Sequence, residues 1–233
     1  MPISQQAATV VAARRRLCRW MCAAVLLAAA VSPDAAVAQD VGTAQKVVKD
    51  VWGGGLAWRV QPQRKVRFRE QINVGGQSGV EFRLNDSTTL SIGENAEIWL
   101  DEFVYDPARD AVEGTIKFAK GAMRFVGSAA KKNVTVEVPT GSIGIRGTSF
   151  NLRVDRARFE VEVLSGTVEV SSGGSQRAVG AGEFVSVSGG TVTPTQPSAE
   201  FRAAMAQLAR TLGPPPSPAG QNNPSTFAPS GRR

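Results

Sequence analysis

The sequence predicts an all-β domain followed by one short helix. Three observations carry that prediction. From Gly79 onward, apolar and polar residues alternate with a period of two in one run after another, the pattern of strands with one buried face. Turn-forming clusters punctuate the runs: Asn85-Asp86-Ser87, Gly93-Glu94-Asn95, Asp106-Pro107, Gly121, Ser165-Gly166, Gly173-Gly174, Gly180 and Gly189-Gly190. After Pro197 the apolar period lengthens, with Phe201, Met205, Leu208 and Leu212 at helical spacing. Many short strands at this spacing define an all-β architecture, and the spacing alone allows a solenoid, a sandwich or a barrel. No constant period marks a regular repeat.

The chain opens on a targeting segment. Arg14, Arg15, Arg16 and Arg19 form a basic stretch, Met21 to Val31 is apolar, and Ala36-Val37-Ala38 supplies a small-residue cleavage site. Residues 1–38 are therefore expected to be a signal peptide, with Gln39 as the mature N-terminus. The apolar run is too short to span a bilayer comfortably, so cleavage is preferred over a retained anchor. The pattern does not separate general export from the twin-arginine route. It predicts a periplasmic or secreted protein. Both cysteines, Cys18 and Cys22, fall in the leader and neither sits in a lipobox. An exported chain without disulfides is held by its core alone.

The whole chain carries a net charge of +7; without the leader's four Arg and one Asp, 23 basic residues face 19 acidic ones, or +4. That surplus is too mild for a nucleic-acid partner, and the cations do not alternate with aromatics as in a stacking surface.

Residues 39–74 read as a strand-rich lead-in. Within it residues 40–52 read as the start of a short helix or a strand and fit neither period cleanly, and Gly53-Gly54-Gly55 separates them from short strands at Leu56–Val60 and Lys65–Phe68. The β-domain proper is expected over 75–196. Its inward positions are Val80, Phe82 and Leu84, then Leu90 and Ile92, then Ala96, Ile98 and Leu100, then Ile116 and Phe118. Phe159, Val161 and Val163 continue the series, with Val168, Val170, Val185 and Val187 after them. The helix is expected over 197–212, capped by Ser198 and ended by Gly213 and Pro214 to Pro216. A lone terminal helix with one apolar stripe docks on its own domain, a partner or a membrane surface, and docking on its own domain is the expectation here. Residues 213–233, rich in Pro, Gly, Ser and Asn, read as a disordered tail.

Catalytic chemistry has little to work with. There is no histidine in the chain and no cysteine after the leader, which removes the common zinc sets, Cys-His nucleophiles and Ser-His-Asp triads. Gly141-Ser142-Ile143-Gly144 lacks the strand-elbow-helix setting of a hydrolase nucleophile. Glu160 and Glu162 share a strand face as glycosidase carboxylates do, but their alternation with Phe159, Val161 and Val163 reads as a solvated face. Asp101, Glu102 and Asp106 read as a hydrated acidic loop rather than a calcium site. No enzyme, metal or cofactor is expected.

The most informative stretch is 134–154. Val134, Val136 and Val138 form one alternating run and Phe150, Leu152 and Val154 another, separated by Pro139, Thr140 and Gly141 and then by Ile143-Gly144-Ile145-Arg146-Gly147-Thr148. Gly144 and Gly147 read as backbone devices at a bend. Arg146 reads as a strut for orphan carbonyls there, the alternative being a binding residue. Phe150, Leu152, Phe159, Val161 and Val163 should point inward, while Asn151, Arg153, Glu160 and Glu162 point out.

The run Val138-Pro139-Thr140-Gly141-Ser142-Ile143-Gly144-Ile145-Arg146-Gly147-Thr148-Ser149-Phe150 resembles the signature of the FecR-type domain family, periplasmic regulators of the iron-dicitrate kind. Leu84-Asn85-Asp86-Ser87-Thr88 looks like a weaker family turn, with Ser87 where glycine is usual. The resemblance covers about 75–190. It implies a compact β-solenoid or twin-stranded β-helix and a non-enzymatic interaction module for an envelope protein. Pro139, Thr140, Gly144, Arg146, Gly147, Thr148 and Phe150 are the residues it singles out. The family's regulators also carry a cytoplasmic anti-sigma segment, a membrane helix and a second lobe. None of these is expected in this chain, so a surface or periplasmic module is implied over sigma-factor control. The alternatives are a glycan- or surface-associated structural domain, with a surface glycan as partner, and, behind it, a hydrolase.

Overall fold

The computed structural model describes residues 40–214, apart from Phe68, Ala129 and Ala130, and apart from the side chains of residues 102–104 and 131–132. The expected signal peptide, its cleavage point and the tail beyond residue 214 lie outside the described residues. Fifteen strands and one helix follow. The strands are β1 (Asp40–Val48), β2 (Val51–Gly53), β3 (Trp58–Arg59), β4 (Lys65–Arg67), β5 (Glu70–Val74), β6 (Gly79–Leu84), β7 (Thr89–Ile92) and β8 (Glu97–Asp106). After them come β9 (Ala111–Val126), β10 (Lys131–Val138), β11 (Gly141–Val154), β12 (Arg158–Ser172), β13 (Ser175–Gly180), β14 (Phe184–Ser188) and β15 (Thr191–Pro194). The helix α1 is Ala199–Leu212.

The ladders form one continuous sheet that winds into two layers. The first runs β4-β1-β6-β7-β9-β11-β12-β14-β15, and the second runs β3-β2-β5-β8-β9-β10-β11-β12-β13. Only β9 and β10 pair in parallel; the other ladders are antiparallel. Strands β9, β11 and β12 belong to both layers. Residues 111–120 of β9 pair with β8 and β10, whereas 121–126 pair with β7 and β11. In β11, residues 141–145 pair with β10 and 149–154 with β9. In β12, residues 158–162 meet β14 and 167–172 meet β13. This back-and-forth winding is the all-β, solenoid-like arrangement that the family resemblance implies.

Each crossing strand bends at a glycine with positive φ: Gly121 (106°), Gly147 (62°) and Gly166 (78°). Side chains disfavour that backbone region, and glycine enters it at no steric cost. At Gly166 space matters as well, because a Cβ there would lie 2.6 Å from Thr148 Cγ2.

The inward faces of both layers meet in a single apolar core. Phe82, Leu90, Phe125, Phe150, Leu152 and Phe159 of the first layer pack with Ile72, Ile98, Leu100, Ile116, Phe118 and Val136 of the second. All five residues expected inward around the signature are buried. The lead-in also contributes: β1 pairs with β6 and β5 with β8, so strands on both sides of residue 75 share ladders and core. Residues 40–48 are strand, not helix. Of Leu56–Val60 only Trp58–Arg59 pairs, because the triple-glycine turn runs on through Leu56, itself at φ 81°. Ser87 stands at φ 69°, which explains why glycine is usual at that point of the family's turn.

Helix α1 begins as expected. Ser198 Oγ accepts the Phe201 amide at 3.0 Å, and at the far end the Gly213 amide donates to Ala209 O. Phe201, Met205, Leu208 and Leu212 pack with Ala122 and Phe184 in a cluster separate from the main core. The Phe201 and Phe184 rings meet edge-on with centroids 4.9 Å apart. Glycines let the helix approach the first layer closely: a Cβ at Gly79 would meet Thr211 at 3.0 Å, and one at Gly93 would meet Leu208 at 3.3 Å. The helix thus docks on its own domain.

Candidate functional site

The signature does not gather its residues at one point; it threads them through both layers. Pro139 is exposed and Thr140 half-buried at the tight β10–β11 turn, where Val138 pairs with Gly141. Along the second layer Ile143 and Ile145 point into the core, so Ser142, Gly144 and Arg146 point out. Gly147 then bends the chain, and Thr148 and Phe150 turn inward on the first layer. Phe150 is fully buried and stacks on its cross-strand neighbour Phe125, with ring centroids 5.2 Å apart and planes 15° apart.

Two expectations at the bend are corrected. Gly144 is not a backbone device: its φ is ordinary, and a Cβ there would meet Glu169 Cβ at 3.7 Å, a normal contact. Arg146 is not a strut. It is exposed, and among the described residues it has no hydrogen-bond or ion-pair partner. The ladder leaves it little to satisfy, because Arg146 pairs with Thr167 and the Thr148 carbonyl accepts the Gly127 amide at 3.1 Å. The polar group left over is the Thr148 hydroxyl, which is buried without a hydrogen-bond partner.

The outward face of the first layer is also not the solvated surface expected. Asn151 and Glu160 point away from the core, yet both are buried. Arg124 Nε donates to Asn151 Oδ1 at 3.0 Å, and Asn151 Nδ2 donates to Glu162 Oε2 at 2.8 Å. These three side chains stand side by side on β9, β11 and β12. Burial pushes the Arg124 guanidinium below its usual range, and the Glu162 and Glu81 carboxylates on either side oppose that shift. Beside the helix, Glu160 accepts from Ser198 Oγ at 3.1 Å and pairs with Arg153 at 3.3 Å, while Arg158 reaches Glu200 at 3.5 Å. Glu160 and Glu162 therefore serve as latch and polar ladder, not as a catalytic pair.

Asp101 and Asp106 diverge too. Asp101 pairs with Lys117 on β9, and Asp106 accepts the Ala108 amide and pairs with Arg109 at its own turn. Among the described residues no group of three or more metal-ligating side chains comes together.

The outward face of the second layer carries what the sequence reading missed. Val51 is buried and Trp52 beside it half-buried; Trp99 stands between buried Ile98 and Leu100. Both indoles therefore face out, together with Gln71, Lys117 and Glu137. The signal was present in the sequence: a tryptophan on the polar phase of an alternating strand is displayed rather than buried.

The arrangement is that of an all-β domain, with side chains displayed on a sheet and no catalytic constellation among the described residues. Residues 70–169 match the FecR protein family, and over that span the chain carries a FecR-type domain. That match supports a regulatory, protein-interaction role. Two crystal structures of a candidate anti-sigma factor from Parabacteroides distasonis are similar in part. One is 20% identical over 56% of this chain and 61% of its own; the other is 18% identical over 58% and 64%; both have a TM-score of 0.46. The aligned region thus spans less than two thirds of those proteins. No curated protein matches the chain.

Proposed function

We propose that this protein is an exported, non-enzymatic FecR-type module that captures a protein partner in envelope signalling or surface assembly. The observation that carries the reading is the family match over a signature whose one charged side chain, Arg146, is exposed and has no hydrogen-bond or ion-pair partner among the described residues. An unpaired guanidinium offers five donors in a planar fork suited to a partner carboxylate. The leader, with its basic stretch, apolar run and Ala36-Val37-Ala38, supports export.

Two measurements test this. N-terminal sequencing of protein recovered from the periplasm or medium should begin at Gln39; an N-terminus at Met1 or Pro2 refutes cleavage. Crosslinking in intact cells with a C-terminally tagged chain should capture an envelope protein, and Arg146→Ala should abolish that capture without altering the fold. Capture unchanged by Arg146→Ala excludes the signature arginine as the contact.

A further inference from the structure

The outer face of the second layer is left open, since helix α1 covers the first. Beside the β10–β11 turn lies a cavity of about 380 Å³ whose lining includes Trp99, Asp101, Lys117, Glu137, Val138 and Pro139. Its framework is rigid. Trp99 sits in register between Gln71 on β5 and Lys117 on β9, and Lys117 in turn pairs with Glu137 on β10. Asp101 occupies the bulge between Leu100 and Glu102, and its carboxylate binds Lys117. That hydrogen bond raises the Lys117 pKa and keeps the ammonium charged. The side chains are held by backbone register and by one another before any ligand arrives.

The chemistry of this rim selects among partners. Its charges cancel locally, with Lys117 and the nearby Arg69 set against Asp101 and Glu137 and, one row away, Lys120 against Glu97 at 3.4 Å. An anionic polymer or lipid surface would meet three carboxylates, and a basic peptide would meet two ammonium groups. The centre of a protein interface is depleted of charge, whereas here the centre is charged. What remains is an indole face ringed by planar carboxylate and amide groups and an ammonium. An uncharged polyhydroxylated ring matches that combination: its C–H face lies on the indole and its hydroxyls donate to carboxylates and accept from Lys117 and Gln71. A second outward indole, Trp52, with the Arg59 guanidinium 5.2 Å from its ring centroid, lies two strands and two residues away, about 12 Å by sheet spacings. That separation exceeds one sugar ring and suits a linear chain.

We infer that the open face of the second layer binds a neutral oligosaccharide, one ring seated on Trp99 with its hydroxyls held by Asp101, Lys117 and Glu137. Arg146 lies on the same face but four residues along β11 from Ser142, the partner of Glu137, so the sugar site and the protein capture proposed for Arg146 use different residues and either reading can fail without the other.

The test titrates cellohexaose and chitohexaose into the purified full-length chain, followed by tryptophan fluorescence and calorimetry, with hyaluronan as a charged control. At least one neutral hexamer should saturate with a Kd below about 10 mM, and Trp99→Ala should weaken it about tenfold or more. Glu137→Gln changes an exposed side chain and should weaken binding severalfold while the melting curve stays put. It carries the test if Trp99→Ala misfolds. The inference is overturned if neither hexamer saturates. It is equally overturned if Glu137→Gln binds like the parent, or if hyaluronan binds as well as the neutral sugars and is released by salt.

Discussion

Replacing Gly147 and Gly166 separately by alanine isolates what the layer-crossing bends require. Both residues hold positive φ, 62° and 78°, and an alanine there costs about 1–2 kcal/mol of backbone strain. At Gly147 nothing lies within 4 Å of the new methyl, so strain is the whole cost. At Gly166 the methyl would also stand 2.6 Å from Thr148 Cγ2, 2.9 Å from the Gly147 oxygen and 3.1 Å from Thr148 Cα. Two of those atoms are backbone and cannot rotate away, so overpacking adds about 1–3 kcal/mol. Gly166→Ala should therefore cost about twice as much as Gly147→Ala. For a domain of this size each kcal/mol moves the melting point by about 2–4 °C. Urea denaturation with a shared slope reads the difference directly. Equal costs, or a Gly147→Ala protein as stable as the parent, would refute the account of the bends.

Four further outcomes are expected. Phe150→Ala removes a fully buried ring stacked on Phe125 and should cost about 4 kcal/mol by chemical denaturation; a melting point within two degrees of the parent would contradict its core position. Arg146→Ala should leave thermal melting unchanged, since the side chain is exposed and unpaired among the described residues. Ser198→Ala removes both the helix cap and the hydroxyl on Glu160, and faster amide exchange confined to α1, for a loss of about 1–2 kcal/mol, is the readout. Burial acts to raise the Asp155 carboxyl, but the Ala157 and Arg158 amides together with the Arg153 and Arg158 charges outweigh it and hold the pKa below its ordinary value. A depressed carboxylate stabilises above its unfolded pKa, and that contribution drains away as pH falls below about 4. Asp155→Asn should thus weaken the protein at pH 7 and flatten its acid limb, as urea midpoints at pH 7 and pH 3 would show.

The sequence made the direction of side chains legible, but not what lies above them. Phe150, Leu152, Phe159, Val161 and Val163 were assignable because a period of two fixes which side each residue faces. Asn151 and Glu160 were equally well placed on the opposite side, yet they are buried by the neighbouring Arg124 and by a helix anchored nearly forty residues downstream. Local pattern holds no information about such cover. Arg146 misled for a related reason: a bend suggests orphan carbonyls, and only the ladder shows that β12 and Gly127 satisfy them. Residues 40–48 escaped assignment because Val47 and Val48, on opposite faces, are both half-buried, which blurs the alternation. The cavity beside Trp99 draws on β8, β9 and β10, and no window of sequence spans all three.

The three strands that pass from one layer to the other have a mechanical consequence. In a sandwich whose sheets are joined only by side chains, the layers can slide over each other or peel apart before either one melts. Here three adjacent backbones, at Gly121, Gly147 and Gly166, stitch the layers along one seam. A shear between layers would have to stretch covalent chain, so no slip plane exists there. Pulled from its ends, the molecule should unzip strand by strand from the free edges at β4 and β15 inward, and the seam should be the last part to yield.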